Sequence, residues 1–554
     1  MTDSTGTDIG YVIEVDGERA LVELTADTTK PLRGEYYPGQ PGTHVKIPFG
    51  EHSIIGIVSS VRMEGGEPIA GPYTEAECRT RSRRVAELIL IGTMQQDGSF
   101  LRGVAVYPNV GQRAAMVTHE EIKGIFAEFL DFGFSFGHPT QAADQRAYVQ
   151  VDKLFGHHVA VLGSTGCGKS CTVVSMLQNA IKHYPDTHIV VLDLHGEYSA
   201  AFPENVLTVG ADEVEVPYWL MNFEEFQSLS VDPSEETAKN QITVLRDSIV
   251  RAKENAEVRE NLELGKAVTV DSPVFYDLED LLGQVRSWNM QMVNDPKGEL
   301  IEGPLHGAFD RFLIRFESKV NDPRYGFMFA PERYEDSHTL PQLLRDFLSI
   351  DSTHRMCIID LSGIPSEAVG VVAAVTSRLI FEFNLWNPER EKFPILLVLE
   401  EAHNYIPQQT DGAPTIARPA VERIAKEGRK YGTGLVVVSQ RPKDLSETVL
   451  AQCNTFVAMR LTNPDDQVFV RKLVPDALAG LMSMLPALRT GEALMLGDSV
   501  AIPTRLMVDC PDPKPRSSDV EYARWWTNGI HGLDVDGVVE RWRRRRRNLD
   551  TDED

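Results

Sequence analysis

The apolar positions of this 554-residue chain follow different rhythms in different regions. From residue 8 to about 125, short runs alternate between apolar and polar positions, with Gly, Pro and Asp between them. A period of two is typical of strands that bury one face. Ile9–Val15 and Arg19–Leu24 flank Asp16-Gly17, which predicts a hairpin, and Leu101–Tyr107 is a further predicted strand. Short strands at this spacing indicate an N-terminal small β-barrel over residues 1–125.

Beyond residue 126 the predicted strands are apolar throughout. Such runs are typical of parallel strands that are buried on both faces, and here they alternate with helical patterns. The sequence therefore predicts an α/β fold whose core comprises residues 126–210 and 351–510, with Tyr148–Val151 as an edge strand. The main predicted core strands are Val159–Leu162, His188–Leu194, Arg355–Leu361, Pro394–Leu399 and Gly434–Ser439.

Residues 211–350 and 511–554 interrupt and follow this core. Apolar residues in the first segment recur at helical spacing, for example Phe309, Phe312 and Phe316, which predicts a helical insertion with an aromatic packing face. The C-terminal tail contains the arginine-rich run Arg541–Arg547. Such a run is compatible with a nucleic-acid contact, a solvated helix end or a docking surface for a partner.

Composition narrows the class of protein. The chain is 42% hydrophobic and 25% charged, as in globular proteins, and it carries a net charge of −26. Overall charge therefore does not attract nucleic acid, so DNA binding would require a local basic channel. No apolar run approaches the roughly 20 residues of a membrane helix, and the N-terminus does not resemble a secretory signal, so a cytoplasmic location is expected. The six cysteines, Cys78 among them, are scattered and predict neither disulfides nor a zinc site.

A phosphate-binding motif lies at the start of the predicted core. Gly163 to Ser170 reads G-x-x-x-x-G-K-S between a strand and a helix, the context in which backbone N–H groups and the helix dipole bind phosphate. Lys169 is predicted to reach the β- and γ-phosphates, and the Ser170 hydroxyl to ligand Mg²⁺. Cys167 is interpreted as a small filler, with oxidation that blocks nucleotide entry as the alternative. The predicted nucleotide-binding residues are Gly163, Ser164, Thr165, Gly166, Cys167, Gly168, Lys169, Ser170 and Cys171.

A second motif places two acids after a buried strand. Glu400 and Glu401 follow the apolar run that ends at Leu399, which is the Walker B arrangement. Glu400 is predicted to support Mg²⁺ through a metal-bound water, and Glu401 to orient or deprotonate the attacking water. The polar segment Asp193–Tyr198 also ends a strand, and is interpreted either as part of the ligand edge or as a simple turn.

Two further residues are candidates for catalysis. Gln440 ends the strand after the acids and is predicted to sense the γ-phosphate. Arg429 ends the intervening helix and is predicted to reach the nucleotide of a neighbouring subunit, where positive charge stabilises phosphoryl transfer. The alternative is a helix-terminal arginine that complements the dipole.

Together these motifs resemble the HerA branch of the HerA/FtsK group of RecA-like ATPases. The resemblance is carried by Gly163–Ser170, Asp193–Tyr198, Leu396–Tyr405, Glu427–Gly432 and Val438–Pro442. It implies ATP and Mg²⁺ as cofactors and a homo-hexameric ring that moves double-stranded DNA through its pore. FtsK-type relatives carry membrane helices, and none is expected in this sequence. The resemblance also implies a nuclease partner in end resection, or a nuclease or sirtuin-like effector subunit in defence against phage. An ATP-controlled scaffold that assembles such an effector, and a protein-remodelling ATPase, remain alternatives.

Overall fold

The computed structural model describes residues 7–26, 37–64, 83–140, 142–210, 212–350, 353–408, 415–517, 520–529 and 532–544. Cys78 and the last three arginines of the Arg541–Arg547 run lie outside these residues. The chain folds into two compact units. The first comprises residues 1–185 and 435–515, and the second comprises residues 186–434 and 516–554.

The N-terminal part of the first unit is a closed antiparallel barrel. Arg19–Leu24 pairs with Asp8–Asp16 on one side and with Arg83–Met94 on the other, which closes the sheet into six strands. Ile9, Val22 and Val58 are among the apolar side chains that fill its interior. The predicted barrel and the hairpin at Asp16-Gly17 are confirmed. Its strands are Asp8–Asp16, Arg19–Leu24, His44–Phe49, His52–Glu64, Arg83–Met94 and Arg113–Met116, with Phe100–Arg102 added at the rim.

The first unit also contains half of the α/β architecture. Val159–Leu162 lies between the parallel strands Thr433–Ser439 and Thr455–Met459. Antiparallel strands then extend this sheet through Glu492–Gly497 and Thr504–Val508 to Gly137–Pro139. The helices of this unit are His119–Ala127, Val151–Gly156, Lys169–His183, Glu447–Leu450 and Pro464–Leu473, with a 3-10 segment at Asp476–Ala487.

The second unit is built on a parallel sheet of its own. Its strands, in spatial order, are Val206–Val209, Met356–Asp360, His188–Asp193 and Ile395–Leu399. The last three are buried almost throughout, which explains their continuous apolar sequence. Because consecutive carboxyl ends of parallel strands share one edge, Asp193, Asp360 and Glu400 lie along the same edge of this sheet. The α/β prediction is confirmed.

Helices dominate the segment between Val209 and Met356. Phe309, Phe312 and Phe316 are all buried, and the rings of Phe312 and Phe316 stack with centroids 5.4 Å apart. The aromatic stripe is therefore a packing face, as predicted. The helices are Phe223–Ser230, Ala238–Glu260, Leu278–Asn289, Asp310–Val320, Gly326–Phe329 and Leu340–Leu348, with a small hairpin at Met292–Asn294 and Leu300–Glu302.

One helix of the second unit, Ser366–Trp386, is more apolar than the sequence analysis anticipated. It has 21 residues, and 72% of its most apolar window is buried inside the protein. It packs against the helices Phe223–Ser230 and Ala417–Glu427 and the strand Ile395–Leu399. By length and mean hydropathy it passes the test for a membrane span, which contradicts the expectation that no apolar run comes close. Its burial among these elements is that of a core helix.

Two predicted strands are wrong in part. Leu101–Tyr107 forms a strand only at Phe100–Arg102, because Gly103, with a φ of 99°, ends the pairing. Tyr148–Val151 is not an edge of the core sheet. Val149–Gln150 instead pairs with Gly133–Phe134 in a separate two-stranded ladder, and Val151 begins a helix. Towards the C-terminus, Tyr522–Asn528 and Val535–Arg544 are helices.

Candidate active site

The phosphate-binding motif forms a tight loop at the end of a buried strand. Val159–Leu162 is fully buried, and the helix Lys169–His183 begins inside the motif. Gly166 and Gly168 adopt φ values of 72° and 101°, which a residue with a side chain rarely adopts. The glycines therefore let the backbone curl in front of the positive end of the helix dipole, as anion binding requires.

Cys167 packs the underside of this loop. Its Sγ lies 3.9 Å from Met459 Sδ, and the residue is fully buried. A Cβ on Gly163 would come within 2.6 Å of that sulfur, so glycine is required there. Burial raises the pKa of the Cys167 thiol, which disfavours the reactive thiolate. These contacts support the filler interpretation and not the oxidation alternative.

Lys169 provides a cation that has no protein anion beside it. The residue is only 9% exposed, and its Nζ donates to the Ser164 carbonyl oxygen at 3.4 Å. No carboxylate of the described residues lies within 4 Å of this ammonium group. A buried charge is costly unless it is paired, so the loop is suited to an anion such as a triphosphate.

Ser170 is the residue of the loop that is predicted to ligand Mg²⁺. It occupies the first turn of the helix and is half-buried, with Cys171 beside it. Among the described residues, no cluster of three or more His, Cys, Asp or Glu side chains could hold a metal ion alone. Mg²⁺ keeps several waters and binds substrate phosphates with one or two protein ligands, so it does not require such a cluster.

Gln440 lies at the loop, as its predicted role requires. It follows the strand Thr433–Ser439, which is parallel to the loop strand, and its Oε1 accepts a hydrogen bond from Thr165 Oγ1. The Gly163 N–H also donates to the Ser439 carbonyl oxygen at 3.2 Å. A displacement of the phosphate loop would therefore alter the position of Gln440.

Asp193 organises the acidic edge of the second unit. Its Oδ1 accepts the N–H groups of His195, Gly196 and Glu197 at 2.9 to 3.3 Å. Its Oδ2 accepts the Tyr198 N–H at 2.9 Å, although the carboxylate is completely buried. Donors of this kind stabilise a buried negative charge. The segment Asp193–Tyr198 is thus a turn folded around a carboxylate, while its part in a ligand edge stays a prediction.

Glu400 is buried against Asp193. Only 4% of Glu400 is exposed, and its Oε2 accepts the Leu194 N–H at 3.1 Å. Burial, followed by the charge of Asp193 and a hydrogen bond to it, raises the pKa of the Glu400 carboxyl far above its ordinary value. The raised pKa favours the neutral form of the Glu400 carboxyl beside the Asp193 carboxylate.

Glu401 turns away from the strand in a strained conformation. Its φ of 44° lies in the left-handed region, which costs a residue with a side chain on the order of 1–3 kcal/mol. His403 Nδ1 lies 3.3 Å from Glu401 Oε2, without the geometry of a hydrogen bond. The hydroxyls of Tyr198 and Tyr405 are also buried without partners among the described residues. Such groups are where ordered waters or a hydrated ion are expected.

Arg429 is presented to solvent. It lies in the short 3-10 helix Gly428–Tyr431 and is exposed. No carboxylate of the described second unit lies within 4 Å of its guanidinium group, so it is available to an anion outside the unit. This exposure is compatible with both interpretations of the residue.

Several residues of this site were missed by the sequence analysis as individual side chains. The first unit brings Gly163–Cys171 together with Gln440, and the second brings Glu400 and Glu401 together with Asp193. The structure adds Tyr198, Tyr405 and His403 around the acids, and Arg460 beside the loop. A histidine or tyrosine close to an acidic motif is a weak signal, because it appears equally in ordinary turns.

Comparison with known proteins shows what the chain is similar to. Residues 134–380 match the family described as the central domain of the helicase HerA. The DNA double-strand break repair helicase HerA of Sulfolobus acidocaldarius is 25% identical over 552 residues, with 96% of this chain and 99% of the relative covered. The protein of the same name from Pyrococcus furiosus is 25% identical over 456 residues, or 75% of each chain.

The matches to solved structures are more distant. VirB4 of Thermoanaerobacter pseudethanolicus aligns with a TM-score of 0.47 at 15% identity and covers 68% of this chain and 96% of its own. The plasmid coupling protein TrwB, in complex with a GTP analogue, aligns with a TM-score of 0.43 at 13% identity, and 67% and 89% are covered. The resemblance to HerA that the motifs indicate is therefore confirmed by the match over residues 134–380 and by relatives that are similar over most of the chain.

Proposed function

We propose that this protein is a ring-forming motor that hydrolyses ATP to move double-stranded DNA. The observation that carries the proposal is the full-length similarity to proteins named DNA double-strand break repair helicases, of which 99% is covered in the Sulfolobus acidocaldarius case. The net charge of −26 is compatible with this role if the DNA contacts are confined to a local basic channel.

The residues of the two units support distinct steps of hydrolysis. Lys169 and the loop amides hold the triphosphate, and Ser170 and Glu400 support Mg²⁺, which neutralises the phosphate charge when it is bound. Glu401 orients and deprotonates the attacking water, since its carboxylate is directed by a strained turn. Gln440 senses the γ-phosphate through its bond to Thr165. Arg429 acts on the nucleotide of a neighbouring copy, for which its exposure and lack of an acidic partner are suited.

Glu400 must lose its proton before it can support a cation. The raised pKa of this carboxyl reflects burial beside Asp193, and an arriving divalent cation opposes both causes. The resting state thereby avoids two adjacent buried negative charges. Binding of a metal ion by Glu400 would therefore be accompanied by release of the proton of this carboxyl.

We further propose a hexameric assembly that acts in the cytoplasm with an effector subunit, either a nuclease or a sirtuin-like enzyme. End resection and defence against phage are both compatible with such a complex. Purification from the native host with mass spectrometry of the intact assembly would give the number of copies and the identity of the effector together.

The decisive test is ATP hydrolysis with and without duplex DNA. Duplex DNA is expected to raise the rate several-fold, and K169A and E401Q are expected to abolish the stimulated rate. Equal rates with and without DNA would argue against the motor. Full effector activity in E401Q rings that cannot hydrolyse ATP would instead establish the scaffold alternative, and stimulation by an unfolded protein would establish protein remodelling.

A further inference from the structure

The short segment 460–462, which follows the strand Thr455–Met459, is hydrogen-bonded to the phosphate loop. The Ser164 N–H donates to the Arg460 carbonyl oxygen at 2.8 Å. The Thr462 N–H donates to Ser164 Oγ at 3.2 Å, and the two hydroxyls lie 3.3 Å apart. The strand itself is parallel to the loop strand, with Ala458 opposite Leu162. The backbone at Arg460 is therefore fixed at the edge of the loop, independently of its side chain.

The Arg460 side chain differs from most arginines of the first unit. It is half-buried, and no carboxylate of the described residues lies within 4 Å of its guanidinium group. Other arginines of this unit are paired, for example Arg19 with Glu87 at 3.2 Å and Arg505 with Glu492 at 2.6 Å. The chain has 81 acidic residues against 55 basic ones, so an unpaired, half-buried arginine is unexpected.

Two unpaired cations act on the same loop. Lys169 and Arg460 both lower the pKa of the Cys167 thiol, against the larger effect of burial, which shows that their charges converge on this part of the loop. Like charges that converge in a partly desolvated place repel each other and favour an anion between or beside them. A guanidinium group is suited to phosphate because it offers several N–H donors in a planar fork.

We propose that Arg460 is a phosphate-binding residue, which donates its guanidinium N–H groups to the triphosphate held on the loop. This inference rests on the proposed binding of ATP by Lys169 and its neighbours, and extends the phosphate site to a residue outside the G-x-x-x-x-G-K-S motif. The hydrogen bond that the Arg460 carbonyl oxygen accepts does not involve the Arg460 side chain. A substitution there therefore removes the charge and leaves the hydrogen bond between the loop and this segment in place.

The test is a titration of the full-length protein with fluorescent ATP and Mg²⁺. R460A is expected to weaken binding by about ten- to a hundredfold, the range for hydrogen bonds to a charged group. R460K keeps the charge but not the fork and is expected to fall between R460A and the wild type. R471A is the matched control, because Arg471 is an exposed arginine on the next helix, and it should bind as the wild type does.

The outcomes separate this inference from the proposed function. Binding by R460A within twofold of R471A would overturn the role of Arg460, provided that K169A still abolishes binding. Failure of the wild type to bind ATP would overturn the proposed ATPase itself. If the melting temperature shows that R460A is misfolded, R460Q takes its place, and R460Q must then bind more weakly than R460K for the inference to stand.

Discussion

The phosphate loop of the first unit is partly buried and the acidic edge of the second is buried, and their charges are stabilised in opposite ways. The loop holds two cations, Lys169 and Arg460, without any acidic partner among the described residues. The acidic edge satisfies its own charge, since Asp193 accepts four backbone N–H groups and the raised pKa of Glu400 favours its protonated form. The loop thus has positive charge that is not paired within the protein, whereas the negative charge of the acidic edge is satisfied when no cation is bound.

This difference implies that the two regions respond differently to mutation. Substitutions in the loop should impair ligand binding and leave stability almost unchanged. Substitutions at the acidic edge should change stability and the chemical step. The predictions below can confirm or contradict that division.

The largest effect is expected for K169A. Removal of the ammonium group takes away the central contact to the triphosphate, so ATP binding should be lost and hydrolysis should fall by more than about 1000-fold. Calorimetry with ATP and Mg²⁺ measures the binding, and phosphate release measures the rate. K472A, at an exposed helix end, is the control and should retain both. Normal binding by K169A would contradict the assignment of the loop.

E401Q should separate binding from hydrolysis. The amide cannot accept a proton from water, so the rate should fall by about 100- to 1000-fold, while ATP binds as in the wild type. Single-turnover hydrolysis and equilibrium titration provide the two values. Equal loss of binding and of rate would show that Glu401 belongs to the binding machinery.

D193N should reduce stability more than it reduces ATP affinity. An amide NH₂ cannot accept the N–H bonds that one carboxylate oxygen receives, and a buried unsatisfied donor costs about 1–3 kcal/mol. Denaturant unfolding without nucleotide measures this loss of free energy. S362A is a milder comparison, since Ser362 donates its hydroxyl to Asp360 on the neighbouring strand. An unchanged unfolding free energy in D193N would show that the hydrogen bonds to Asp193 do not stabilise the acidic edge.

The smallest effect is expected for E400Q, and its sign is the informative part. The pKa of Glu400 is higher in the folded than in the unfolded chain, so the folded state retains a proton that the unfolded state releases above about pH 4.3. Wild-type stability without Mg²⁺ therefore falls as pH rises above that value. Gln keeps a donor towards Asp193 without this penalty, so E400Q should be more stable by about 1–2 kcal/mol near neutral pH.

Melting curves of the wild type and E400Q across pH provide the check. The gap between them should widen as pH increases and should close towards pH 4. A gap that is constant with pH, or a less stable E400Q, would contradict the neutral state of Glu400.

The sequence predicted the first region more completely than the second. The glycines of the motif constrain the backbone directly, because Gly166 and Gly168 adopt positive φ values that residues with a side chain rarely adopt. At the acidic edge, the sequence indicated two acids after a strand but not the proton on Glu400. That proton depends on burial and on Asp193, which is about 200 residues away in sequence and becomes a neighbour only through parallel strand pairing.

The remaining errors have similar causes. Leu101–Tyr107 has the apolar pattern of a strand, but a glycine with positive φ ends its pairing after Arg102. Tyr148–Val151 has the apolar pattern of a core strand, but Val149–Gln150 pairs with the nearby strand Gly133–Phe134 instead. The sequence did not predict a role for Arg460. A single arginine after a strand becomes a candidate only when the structure shows no acidic side chain beside it. Residue roles at the site, and the domain boundaries, stay predictions.

The helical insertion leaves the second unit's sheet at Val209 and returns at Met356, and the two strands that it joins are parallel neighbours. Any link between such strands must carry the chain back along the full length of a strand, for which about a dozen residues suffice. The insertion is thus an enlarged crossover. It could be shortened to a single helix or exchanged for a different domain without rethreading the strands that hold Asp193 and Glu400, so this is where a lineage could remodel the protein's outer surface while the ATPase chemistry is preserved.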